Sequence, residues 1–93
     1  MSTARARVLP GVTTEWHCVR DIDARYVIVR GTGKVEVGDL PTAIVDEGDV
    51  VRIPANTLQR ITNVGDTDLV FLCVCSPRFV PDAYMPGPND YQD

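Results

Sequence analysis

The sequence predicts an all-β fold, and three observations lead to that prediction. Fourteen valines and five isoleucines, which favour strands, outnumber the aliphatic helix formers. Glycine, proline, aspartate and asparagine recur every few positions from Pro10 to Pro88 and divide the chain into short apolar segments. No segment has the pattern of a helix. At 93 residues, these segments suffice for one domain, predicted to span residues 1–93.

The apolar segments predict eight short strands. In chain order they are Ala6 to Leu9, Thr13 to Arg20, Arg25 to Arg30, Lys34 to Val37, Thr42 to Val45, Asp49 to Ile53, Arg60 to Asn63 and Leu69 to Ser76. Strands of this number and length are typical of a β-sandwich or a β-barrel.

Two glycine-containing turns predict hairpins. Gly31-Thr32-Gly33 separates the third strand from the fourth, and positive φ at glycine would let Tyr26 to Val37 form a hairpin. The segment from Val64 to Asp68 predicts a second hairpin turn. Residues 78–93 end in a polar, proline-containing stretch without regular structure, which predicts a tail or an arm that crosses to a neighbouring subunit, with folding back onto the same subunit as the alternative.

The composition excludes several classes of protein. Nine basic residues against thirteen acidic ones give a net charge of −4, so nucleic acid is not an expected partner. There is no apolar stretch of the roughly 20 residues that span a membrane, and no apolar leader begins the sequence, so we expect a cytoplasmic protein. Cys18, Cys73 and Cys75 are expected to be reduced thiols.

Two stretches with defined glycine and proline spacing resemble the signature motifs of the cupins. In the first, five residues separate Gly11 from His17, and six residues separate Ala24 from Gly31. The second, GDVVRIPANTLQRITN, covers residues 48–63. The resemblance covers about residues 11–77 and implies a double-stranded β-helix, or jelly-roll, barrel with 78–93 outside its core. In the second motif Asn56 stands where cupins usually have a turn glycine, and Asn tolerates the left-handed conformation better than other non-glycine residues.

The same resemblance indicates that most of the usual metal ligands are missing. Cupins that hold a catalytic metal use four motif positions, which in this sequence are His17, Val19, Ala24 and Gln59. Valine and alanine have no donor atom, whereas a catalytic zinc or iron site ordinarily has three protein ligands. No cofactor is therefore expected. The alternative is a divalent transition metal at a shifted site of Glu15, His17 and Gln59, because strand alternation places Glu15 on the face of His17; the competing interpretation of Glu15 is a solvated carboxylate.

Strand alternation also predicts a mostly apolar ligand pocket inside the barrel, with a closed core as the alternative. His17, Gln59 and the Tyr26 hydroxyl would be its polar groups. The predicted lining residues are His17, Val19, Ala24, Tyr26, Ile28, Gln59 and Ile61. Phe71 and Cys73 are further candidates, although both faces of their strand are apolar.

Two functions remain open. The first is a metal-independent module, accessory or sensory, that binds a small organic molecule. The second is an enzyme, since the resemblance implies that small cupins include isomerases, cyclases, lyases and dioxygenases. It would use the shifted metal site or metal-free acid–base chemistry by His17, which is the best catalytic candidate. The number of metal ligands favours the binding module.

Two further expectations concern partners. Arginines outnumber lysine eight to one, so a carboxylate-bearing ligand held by Arg52 or Arg20 is an alternative to simple ion pairs. Val27 and Val29, and likewise Trp16 and Cys18, should face away from the barrel interior. This exposed apolar surface predicts a homodimer.

Overall fold

The computed structural model describes residues 1–87, which form nine strands and one turn of 3-10 helix. The strands are β1 (Ser2–Val8), β2 (His17–Val19), β3 (Asp23–Arg30), β4 (Gly33–Val37), β5 (Ala43–Val45), β6 (Val50–Ile53), β7 (Gln59–Asn63), β8 (Leu69–Ser76) and β9 (Tyr84–Pro86). The 3-10 turn covers Pro81–Ala83. Within these residues, no helix has the length and apolar character that crossing a membrane requires.

Two antiparallel sheets enclose the core. The first sheet has the order β1-β8-β3-β6 and the second has the order β5-β4-β7-β2-β9. Burial alternates along the strands, so that Ala24, Tyr26 and Ile28 of β3 face the second sheet, and Ile61 of β7 faces the first. The all-β, jelly-roll fold predicted from the sequence is confirmed.

The predicted hairpin from Tyr26 to Val37 is wrong, because β3 and β4 lie in different sheets. Both edges of β3 are occupied, one by β6 and the other by β8, so no edge is left for β4. Gly31 does have a positive φ of 88°, but it turns the chain from one sheet to the other. A Cβ at Gly31 would lie 2.7 Å from the Asp68 carbonyl oxygen, which shows how closely two crossing loops approach.

The predicted hairpin turn from Val64 to Asp68 is also wrong, since it joins β7 of the second sheet to β8 of the first. The buried side chain of Asn63 holds this crossing. Its amide nitrogen donates to the carbonyl oxygens of Val8 (2.9 Å) and Thr67 (2.7 Å), and its oxygen accepts from the Gly65 amide at 2.9 Å. The buried amide therefore fixes the loop by three hydrogen bonds.

Part of the predicted C-terminal tail is a strand of this subunit. Residues 84–86 pair with β2, as Cys18 is opposite Met85 and Val19 is opposite Tyr84. Pro86 is tolerated because β9 is an edge strand and ends there, so its missing N–H interrupts no ladder. Residues 84–86 thus fold back onto the same subunit, which is the alternative to an arm that crosses to a neighbour. Residues 88–93 lie outside the part of the chain that the structure describes.

The loop of the second motif packs against the start of β3. Asn56 adopts a left-handed φ of 64°, and its side-chain oxygen accepts a hydrogen bond from the Asp21 amide at 3.0 Å. The Asn56 amide donates to the Val19 carbonyl at 3.0 Å. These bonds hold the end of β2, which carries the candidate site, against the loop between β6 and β7.

Candidate functional site

The candidate site is built around one cross-strand pair. His17, at the start of β2, lies directly opposite Gln59, at the start of β7. Both residues come from the motif positions singled out in the sequence, and the antiparallel register brings them into contact. His17 is half-buried, whereas Gln59 is only 2% exposed.

The hydrogen bonds of His17 define its tautomer. Its Nδ1 lies 3.0 Å from the backbone carbonyl oxygen of Glu15, which only accepts, so Nδ1 carries the proton. In the neutral ring Nε2 is then an acceptor, and the Gln59 amide nitrogen donates to it across 2.6 Å. This arrangement leaves Gln59 Oε1 without a partner, and no other buried side-chain nitrogen or oxygen of residues 1–87 is in that state.

Tyr84 of β9 completes the site, and neither motif predicts it because it lies beyond both of them. Its ring stacks on the His17 imidazole with centroids 4.9 Å apart, and its hydroxyl donates to the Glu15 carboxylate. Partial burial, together with the hydrogen bond to Glu15, raises the pKa of Tyr84 to about 12. The phenol is therefore a neutral donor at physiological pH.

Tyr26 of β3 lies deeper. Its ring centroid is 4.5 Å from that of Phe71, and burial raises the pKa of its hydroxyl above the ordinary range, although the neighbouring Gln59 amide opposes that shift. Cys73 and Cys75 also face inward on β8, with sulfurs 3.7 Å apart. Burial raises the pKa of Cys73 to about 12, so this thiol is protonated and poorly nucleophilic.

The apolar residues of the predicted pocket all face the space between the sheets. Ala24, Ile28 and Ile61 belong to the buried core, and Val19 packs against it. The small side chains at Val19 and Ala24 are thus surrounded by apolar neighbours. Their role as pocket lining stays a prediction.

These residues do not fit the metal that the fold family implies. Val19 and Ala24 have no donor atom, and both ring nitrogens of His17 are engaged, one by the Glu15 carbonyl and the other by Gln59. Two donors on one ion at the usual 2.0–2.1 Å would sit about 3 Å apart or more, which is wider than the 2.6 Å between His17 and Gln59. No three histidine, cysteine or acidic side chains among residues 1–87 group as a metal site.

The shifted set of Glu15, His17 and Gln59 is assembled only in part. The Glu15 carboxylate is turned to the Tyr84 hydroxyl, and the residue contacts His17 through its backbone oxygen. Glu15 is exposed, and its carboxylate would have to leave Tyr84 to join an ion.

The two arginines considered for a ligand carboxylate are engaged to different degrees. Arg52 forms an ion pair with Asp23 at 3.2 Å. The hydrogen bond from the Ala55 amide, together with that ion pair, lowers the pKa of Asp23. Arg20 is exposed, and one of its guanidinium nitrogens donates a hydrogen bond to the Asp82 carbonyl oxygen at 3.1 Å. Arg20 therefore keeps further donors for a ligand.

A comparison of the sequence with protein-family models agrees with the fold described above. The family model for the cupin domain matches residues 4–75. The chain therefore belongs to the cupin domain family. A search of curated protein sequences gives no significant match.

Solved structures with the same fold include enzymes and proteins without an assigned activity. An uncharacterized conserved protein with a double-stranded β-helix domain from Klebsiella pneumoniae is 15% identical, with a TM-score of 0.81 over 94% of this chain and 74% of that one. A predicted oxalate decarboxylase from Thermotoga maritima is 29% identical, with a TM-score of 0.73 over 78% of this chain and 63% of that one. The capsular polysaccharide assembling protein CapF from Staphylococcus aureus is 23% identical, with a TM-score of 0.78 over 88% of this chain, which spans only 26% of CapF.

Proposed function

We propose that this cupin binds a small organic molecule without a metal, at a site formed by His17, Gln59, Tyr26 and Tyr84. The observation that carries the proposal is the unpartnered Oε1 of Gln59. A buried carbonyl oxygen without a hydrogen bond costs about 1–3 kcal/mol, so its presence beside other polar side chains favours a role in accepting a ligand donor.

The surrounding groups define the ligand chemistry. A ligand hydroxyl or amide N–H would satisfy Gln59 Oε1, and the apolar neighbours of Val19 and Ala24 suit a hydrocarbon portion. Arg20 is the arginine best able to hold a ligand carboxylate, because Arg52 is paired with Asp23. The proposed ligand is thus a small molecule with a hydrogen-bond donor for Gln59. If Arg20 takes part in binding, the ligand also carries a carboxylate.

A metal-free enzyme is the second candidate. General acid–base catalysis at His17 needs another titrating group close by, and the ring of Tyr84 is stacked on the imidazole. Its neutral phenol would serve as the acid. The likeness to a predicted oxalate decarboxylase suggests a small carboxylic acid as substrate, while the ligand positions Val19 and Ala24 disfavour a metal-dependent reaction.

The first experiment combines elemental analysis with NMR of the single histidine. We expect well under one equivalent of transition metal in protein purified without added ions. We also expect the neutral His17 ring to be the tautomer with its proton on Nδ1. Stoichiometric metal that His17→Ala removes would contradict the proposal and favour the set Glu15, His17 and Gln59.

The second experiment measures ligand binding with defined probes. Lactate and benzamide, which carry a hydroxyl and an amide N–H donor, and acetate and oxalate, which carry no donor, are titrated into the wild-type protein and into Gln59→Leu. The His17 ring is followed by NMR in every protein, and the Gln59 side-chain amide is followed where it is present. Thr62→Val, on an outward position of the same strand, is the matched control. Shifts that saturate in the wild type and the control but not in Gln59→Leu support the proposal. Identical shifts in all three proteins place binding elsewhere and refute it.

A further inference from the structure

The outward face of the first sheet has a regular pattern that the candidate site does not use. The strand register places its side chains in three rows that run across the strands. The central row is Arg5, Leu72, Val27 and Val50. One flanking row is Thr3, Val74, Arg25 and Arg52, and the other is Arg7, Val70 and Arg30. We call this surface the arginine face.

The arginine face is basic although the chain as a whole is acidic. It carries five of the nine basic residues of a chain whose net charge is −4. Arg7 is paired with Asp68 at 3.6 Å and Arg52 with Asp23 at 3.2 Å. The other three have no carboxylate within ion-pair distance in the described part of the chain. These are the exposed residues Arg5, Arg25 and Arg30.

The centre of the arginine face is apolar. Val50 is 58% exposed, and Val27 and Leu72 beside it are half-buried. An apolar centre with a charged, arginine-rich rim is the usual composition of a protein-binding surface. The rim charge indicates that the complementary surface is acidic.

We propose that the arginine face binds an extended acidic segment of another protein. Alternate residues of an extended chain point to one side and recur about every 6.6–7 Å, which equals the spacing between the three rows. A segment with acidic, apolar and acidic residues at alternate positions would therefore place its apolar side chain on Val27 and Leu72. Its carboxylates would then meet Arg25 in one flanking row and Arg30 in the other.

A second copy of this chain is the competing occupant. A twofold contact centred on Val27 would bring Arg5, Arg25 and Arg30 of both copies close together, and like charges across a contact are unfavourable. The charges thus favour an acidic partner on this face. The homodimer predicted from Val27, Val29, Trp16 and Cys18 stays a prediction, and the same experiment tests it.

The test uses a fluorescent peptide in which aspartate, leucine and aspartate alternate with serines, and a control peptide with asparagine in place of aspartate. Binding is measured by fluorescence anisotropy to the wild type, to Arg5→Gln/Arg25→Gln and to Lys34→Gln/Arg78→Gln. The second double variant loses the same charge at Lys34, on β4 of the second sheet, and at Arg78, which follows the end of β8 and belongs to none of the three rows. Val27→Ser/Leu72→Ser tests the apolar centre.

We expect the aspartate peptide to bind the wild type and the Lys34/Arg78 variant alike, and to bind Arg5→Gln/Arg25→Gln about tenfold more weakly. Affinity should fall as ionic strength rises, and the asparagine peptide should not bind. Equal loss in both double variants, or equal binding of both peptides, overturns the proposal. Light scattering that shows a dimer abolished by Val27→Ser/Leu72→Ser overturns it in favour of a second copy.

Discussion

The two buried side-chain amides, Gln59 and Asn63, should respond differently to replacement by leucine, although they are buried to nearly the same degree. Gln59 is 2% exposed and Asn63 is 1% exposed. Asn63 makes three hydrogen bonds through its side chain, whereas Gln59 makes one to His17 and leaves its oxygen unpartnered. Replacing each by leucine separates the value of a satisfied amide from the cost of an unsatisfied one.

The magnitudes follow from the partners. Gln59→Leu loses one hydrogen bond, worth about 0.5–1.5 kcal/mol, and removes an orphan oxygen that costs about 1–3 kcal/mol. Gln59→Leu should therefore be neutral or up to about 2 kcal/mol more stable. Asn63→Leu loses three bonds and leaves the Val8 and Thr67 carbonyls and the Gly65 amide unpaired, a loss of about 3–5 kcal/mol.

Equilibrium unfolding in urea measures both variants, and unchanged slopes show that the folded and unfolded states are comparable. A domain of this size has about 5–14 kcal/mol of stability, so Asn63→Leu remains folded in the upper part of that range and unfolds at its lower end. A loss of about 2 kcal/mol or more in Gln59→Leu would refute the reasoning. It would mean that Gln59 Oε1 has a partner in the folded protein and is not a free acceptor.

Two more predictions concern Tyr84 and Gly31. Because the pKa of Tyr84 is raised to about 12 in the folded protein, its stabilising effect should be complete below pH 10 and lost as the pH rises from about 10 to 12. Absorbance at 295 nm should show a phenol that titrates near pH 12 and that Tyr84→Phe removes. A midpoint near pH 10 for that phenol would contradict this prediction. In urea unfolding, Gly31→Ala should destabilise the fold by about 1–2 kcal/mol more than Gly48→Ala. Both glycines have a positive φ, but only at Gly31 would the new Cβ lie 2.7 Å from a backbone oxygen, that of Asp68. Equal losses of stability in the two variants would contradict this prediction.

Local patterns predicted the strands well because burial alternates within each strand. β8 matches its predicted limits, and β3 to β7 end where predicted and begin within two residues of the predicted start. β1 begins four residues earlier than predicted and β2 four residues later, and both end one residue earlier. The pairing of strands was not predictable in the same way, since it depends on which edges are already occupied. β3 has β6 and β8 on its edges, and a turn sequence alone does not reveal that.

The site was predictable where motif spacing applied and not elsewhere. His17 and Gln59 come from the two motifs, and their contact follows from the register of β2 and β7. Tyr84 lies beyond both motifs, on a strand whose partner is 65 residues earlier in the chain, Val19 being opposite Tyr84. Because the paired strands are so far apart in the chain, and because prolines lie around β9, no local sequence pattern predicts that Tyr84 belongs to the site.

The alternation of side chains along β3 and β8 makes the two proposals separately testable. Tyr26 and Cys73 face the interior, whereas their chain neighbours Val27 and Leu72 face outward on the arginine face. Gln59→Leu changes the interior site and no residue of the arginine face, and Arg5→Gln/Arg25→Gln does the reverse. If small probes fail to bind while the acidic peptide binds, the chain acts as a docking module. If the probes bind and the peptide does not, the interior site alone carries the function.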